Sequence, residues 1–114
     1  MTALRRPGSK GTLPSGIHTA DIDYDDPESI TTALRGQDML IITLAVSAPQ
    51  DTSVKLLAGA KAAGIQWVMP NVYGGKAKNK KMEEDSLYAK SVVQRIKEVE
   101  DAGLNHVTLT CGFW

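Results

Sequence analysis

At 114 residues the chain fits one domain, residues 1–114, with enough length to bury a core. Thirteen basic and thirteen acidic side chains cancel, which excludes a global field drawing the protein to nucleic acid or to an anionic membrane. A lone cysteine, Cys111, excludes an internal disulfide, and no apolar run approaches the roughly 18 residues that span a bilayer.

Thr2 to Arg6 reads as a strand, and the Pro- and Gly-rich stretch from Pro7 to Gly16 as a loop. Ile17 to Asp23 is the next strand. Asp26 then caps a helix whose first position is Pro27, where the missing N–H costs nothing, and which carries Ile30, Ala33 and Leu34 to a stop at Gly36. The run Asp38 to Ala45 is almost wholly apolar from Met39 onward, the pattern of a central strand covered on both faces. Ser47-Ala48-Pro49-Gln50 fits a capping box, and Val54, Leu57, Ala58 and Ala62 form a narrow stripe before Gly64. Ile65 to Pro70 is a fourth strand. Asn71 to Lys81 is a loop holding Lys76, Lys78, Lys80 and Lys81, read as a solvated approach to a helix with an acidic start at Glu83. That helix runs to Ala102 with Tyr88, Val92, Ile96 and Val99 on one face, and His106 to Thr110 is the final strand.

Strands alternating with helices predict crossover units, a parallel sheet and ligands at the carboxyl ends of its strands. Two arginines leaving the first strand, Arg5 and Arg6, can hold a phosphate through guanidinium forks or form a solvated pair. His18 and His106 have no second ligand at metal spacing, and Cys111 reads as a buried structural thiol. The reducing cytoplasm is the expected compartment, with the nucleus open to a regulatory protein.

Thr2-Ala3-Leu4-Arg5-Arg6-Pro7, Asp23 to Ile30, Ala33 to Asp38 and Val68-Met69-Pro70-Asn71-Val72-Tyr73-Gly74 together resemble the NmrA-like and isoflavone-reductase-like branch of the atypical short-chain dehydrogenases. The last segment is similar to that family's Pro-Ser-x-Phe-Gly signature. The resemblance implies a Rossmann-like, doubly wound α/β domain that binds NADP, acting as an NADPH-dependent reductase or as a nucleotide-sensing regulator with a protein partner. By position it implies that Arg5 and Arg6 meet the 2′-phosphate and that Asp23 and Tyr24 flank the adenine. Thr43, Leu44 and Ala45 would then line the ribose and pyrophosphate, with Asn71 and Tyr73 toward the nicotinamide. Lys90 is the nearest match to the lysine that reductase members carry on the following helix, with a solvated helix lysine as the alternative.

Two departures accompany the resemblance. The family's first strand, glycine-rich turn and first helix are missing, as is its C-terminal substrate domain, so a partial domain is expected. The usual strand order places the missing strand at the sheet centre. Either the chain is a fragment or mis-predicted start of a longer protein, with a gap at that place, or the two half-sheets close up and pair directly. Weak or no NADP binding by this chain alone follows from the missing backbone donors for the pyrophosphate.

Overall fold

The computed structural model describes residues 1–45, 47–73 and 87–111, with residues 87–89 described by backbone alone. The lysine run, the acidic start of the last helix and Gly74 lie outside these residues. Strands β1 (Thr2–Arg5) and β2 (His18–Asp21) pair in parallel, followed by helix α1 (Pro27–Leu34). Strand β3 (Met39–Ile41), helix α2 (Thr52–Ala62), strand β4 (Trp67–Met69), helix α3 (Leu87–Asp101) and strand β5 (Asn105–His106) complete the order. The second sheet is parallel, in the order β3-β4-β5. No helix among the described residues is long and apolar enough to cross a membrane.

Local chemistry explains the helix ends. Asp26 caps α1 by accepting from the Glu28 N–H at 3.2 Å, and Pro27 takes the first position as expected. Gly36, Gly64 and Gly103 follow the three helices with φ of 77°, 83° and 74°, a region that side chains resist. The predicted box at Ser47 is not used. The helix starts later, at Thr52 behind Asp51, because residues 47–51 turn first, with Thr52 N–H donating to the Pro49 carbonyl at 3.1 Å.

One core cluster runs through both sheets. It joins Ile22 beyond β2, Ile30 and Leu34 of α1, Leu40 and Ile42, Leu56, Leu57 and Ala60 of α2, Val68, Val99 of α3 and Leu104. Apolar side chains from all three helices therefore meet the same side of the second sheet. On its other side Met39 (39% exposed), Ile41 (55%) and Trp67 (45%) are open. The expectation that the Met39 strand is covered on both faces is thus corrected: Leu40 and Ile42 are buried and their neighbours are not, the period-two pattern of a strand covered once.

The stripe expected on α2 also changes. Val54, Ala58 and Ala62 are exposed, and the buried face is Thr52, Ser53, Leu56, Leu57, Gly59 and Ala60. Close approach of α1 selects small residues there: a side chain at Gly59 would meet Ile30 Cβ at 3.2 Å. Hydrophobicity does not register that requirement. Of the two expected outcomes for the half-sheets, direct pairing does not occur. Strands β1 and β3 remain edges of separate sheets, and the packed helices α1 and α2 tie the halves together.

Candidate functional site at the strand ends

Two groups of predicted residues come together at the carboxyl ends of the strands. The first lies beyond β1 and β2. The register sets Arg5 opposite Asp21, and Arg5 Nε donates to Asp21 Oδ1 at 2.7 Å. Arg6 is exposed, at the start of a turn closed by Ser9 N–H on the Arg6 carbonyl at 3.2 Å. Asp23 is fixed by its surroundings: its N–H donates to Ser29 Oγ at 3.0 Å and its carboxylate accepts from Asp25 N–H at 2.9 Å. Tyr24 packs against the core edge. Lys55 of α2 supports this end, bonding Asp25 at 3.4 Å and Asp51 at 2.9 Å.

The second group joins the exits of β3 and β4. Tyr73 Oη donates to the Ile42 carbonyl at 2.8 Å and lies 3.3 Å from Thr43 Oγ1, which is left to donate to it. Asn71 Nδ2 donates to the Leu44 carbonyl at 3.0 Å. Cys111 N–H donates to the Tyr73 carbonyl at 3.0 Å, tying in the chain beyond β5. Asn71 and Tyr73 thus hold the backbone where β3 ends. The Cys111 thiol is exposed, which corrects the expectation of a buried one, since the residue lies past the strand and clear of the core.

Tyr24, Thr43 and Leu44 line a common cleft of about 620 Å³ between the two sheets, and Ala45 faces a second cleft of about 380 Å³ with Gln50, Ser53, Arg95 and Glu98. Lys90 is exposed on α3 and lines neither. Sequence reading missed Asp21 and Ser29, whose roles depend on strand register and loop geometry. It also missed Ser53, whose hydroxyl donates to Glu98 of α3 at 3.0 Å. No hydrophobic pattern flags such polar pairs.

The exits of β1 and β2 thus bring together Arg6, which has no ion-pair partner among the described residues, Arg5 held by Asp21 across the strand, and the half-buried ring of Tyr24. Guanidinium groups so placed have the chemistry to accept a phosphate.

No protein-family model matches the chain, and no curated protein matches it significantly in sequence. Solved structures do match in fold. AtPrR2 with NADP+ and (+)pinoresinol superposes with a TM-score of 0.68 at 19% identity, over 83% of this chain and 33% of that one. The NADPH-dependent quinone oxidoreductase of Escherichia coli, complexed with NADPH, gives 0.62 at 24% identity over 87% of this chain and 34% of that one. A nucleoside-diphosphate-sugar epimerase from Staphylococcus aureus gives 0.65 at 16% identity over 96% and 40%. The chain therefore spans well under half the length of these proteins. With parallel strands and crossover helices, it carries part of a Rossmann-like α/β fold.

Proposed function

We propose that this chain is the nucleotide-binding portion of an NADPH-dependent oxidoreductase of the NmrA-like and isoflavone-reductase-like kind, and that it holds the adenosine 2′-phosphate end of NADP. The observation that carries this reading is the placement of Arg5 and Arg6 at the carboxyl end of β1, beside Asp23 and Tyr24 at the end of β2. Fold neighbours crystallised with NADP+ or NADPH support it. When bound, the cofactor supplies hydride chemistry at its nicotinamide.

The chain's own residues bind and orient. Arg6 meets the phosphate directly, and Arg5 does so while Asp21 fixes its side chain. Thr43 and Leu44 line the path from the ribose, and Ala45 follows on the same strand exit. Asn71 and Tyr73 shape the nicotinamide side by holding the exit of β3. Lys90, exposed on α3 and lining neither cleft, is read as a solvated helix lysine.

Adenosine 2′,5′-bisphosphate tests the phosphate site, because it needs no pyrophosphate cradle. Titrated into the chain, it is expected to shift the amide resonances of Arg5, Arg6, Asp23 and Tyr24 far more than adenosine 5′-monophosphate does. Arg6→Ala should abolish the difference, each charged hydrogen bond contributing about 1.5–3 kcal/mol. Equal responses to the two nucleotides would return both arginines to a solvated role.

A further inference from the structure

Of the four arginines in the chain, only Arg6 is followed three residues later by a hydroxyl, that of Ser9. The loop after β1 brings the two together. Pro7 and Gly8 form the centre of a turn that Ser9 N–H closes on the Arg6 carbonyl at 3.2 Å, and Gly8 takes the positive φ, 79°, that the second central place of a type II turn needs. The ends of such a turn lie less than about 7 Å apart at Cα, within reach of a long guanidinium side chain. Both residues are exposed. Among the described residues Arg6 has no ion-pair partner and the Ser9 hydroxyl makes no hydrogen bond, whereas Arg5 is held through Nε by Asp21.

We propose that Ser9 is a phosphorylation site, and that its phosphate folds back onto Arg6 and withdraws that arginine from the nucleotide; the withdrawal rests on the nucleotide-binding role proposed for Arg6. A serine kinase that selects its substrates by a basic residue upstream finds here what it needs, an exposed hydroxyl and a guanidinium three residues before it. In the transfer the terminal phosphoanhydride bond of ATP breaks and the Ser9 Oγ–P bond forms. ADP leaves, and the hydroxyl proton passes to the base of the kinase. The product carries about 1.5 to 2 negative charges at pH 7 and three acceptor oxygens, which suit a guanidinium fork. Tethered across one turn, it competes at an effective concentration on the order of millimolar. A ribose 2′-phosphate must displace it, and a second dianion beside the first is repelled. Phosphorylation of Ser9 therefore acts on nucleotide binding as loss of Arg6 would. Ser15 is equally exposed but precedes the amino end of β2, at the far end of the β1 and β2 pair from Arg6.

Phosphoserine is encoded genetically at position 9 of the full chain, and at position 15 as a control. Adenosine 2′,5′-bisphosphate and adenosine 5′-monophosphate are titrated into both forms and into the unmodified chain, followed by amide and arginine Nε–H resonances. Phosphate on Ser9 should shift the Arg6 Nε–H resonance before any nucleotide is added. It should also weaken the bisphosphate by about tenfold or more and leave the monophosphate unchanged. Phosphate on Ser15 should do neither. A calmodulin-dependent serine kinase, which selects arginine three residues ahead of its target, should label the folded chain at Ser9 from ATP, and Ser9→Ala and Arg6→Ala should each abolish the label. A bisphosphate preference that survives phosphate on Ser9 would overturn the proposal and leave the nucleotide-binding role intact. An equal loss with phosphate on Ser15 would overturn it too, because charge anywhere on the chain would then suffice, and so would an unlabelled Ser9. Equal responses of the unmodified chain to the two nucleotides would instead overturn the nucleotide-binding role, and this proposal with it.

Discussion

Gly59→Ala probes the contact that ties the two half-sheets together. A Cβ at this position would lie 3.2 Å from Ile30 Cβ and closer still to Ile30 Cγ2, and Ile30 is only 1% exposed. Its β-branched side chain is stiff about χ1 and cannot swing aside cheaply. Overpacking of this kind costs about 1–3 kcal/mol, while alanine in a helix regains about 0.5–1 kcal/mol over glycine. A net loss of about 0.5–2 kcal/mol is expected in urea denaturation. Ile30→Ala removes Cγ2 at a cost of about 2–5 kcal/mol, and in that background Gly59→Ala should instead stabilise by about 0.5–1 kcal/mol. The reversal amounts to a coupling of about 1–3 kcal/mol in a double-mutant cycle. Additive effects, or a stabilising Gly59→Ala in the wild-type background, would refute the close approach of α1 to α2.

Three further outcomes are expected. Tyr73→Phe removes the 2.8 Å bond to the carbonyl of buried Ile42 and should cost about 1–2 kcal/mol, with faster amide exchange beyond β3; an unchanged midpoint would show that water replaces the phenol. Asp26→Ala removes the α1 cap and should cost about 1 kcal/mol by the same assay, with Asp26→Asn close to wild type. The Lys55 hydrogen bond holds Asp51 below its ordinary 3.8, and Asp51 holds Lys55 above its ordinary 10.5. The carboxylate's contribution is present above 3.8 and lost as pH falls through its lowered value, and the ammonium's is present below 10.5 and lost as pH rises through its raised value. The stability difference between wild type and Lys55→Met should therefore fade on both flanks; a difference independent of pH would refute the pairing.

Much of the fold was legible because its signals are local. Asp26-Pro27 announces the start of α1, Gly36, Gly64 and Gly103 end their helices, and the strand and helix alternation implies parallel crossovers, since each depends only on neighbours in the chain. The resemblance around Arg5-Arg6 and Asn71-Val72-Tyr73 pointed to a Rossmann-like domain, and the fold neighbours agree on that fold. Tertiary structure alone decided the rest. Whether Met39 and Ile41 are covered depends on which side the helices gather, and apolar character reads the same for a buried residue and an open one. Gly59 lies on a contact surface because Ile30 of another helix approaches it, and Asp21 is the partner of Arg5 only through strand register. The open edges of β1 and β3 follow from pairings that never form between them, a property of distant segments and not of either strand's own residues.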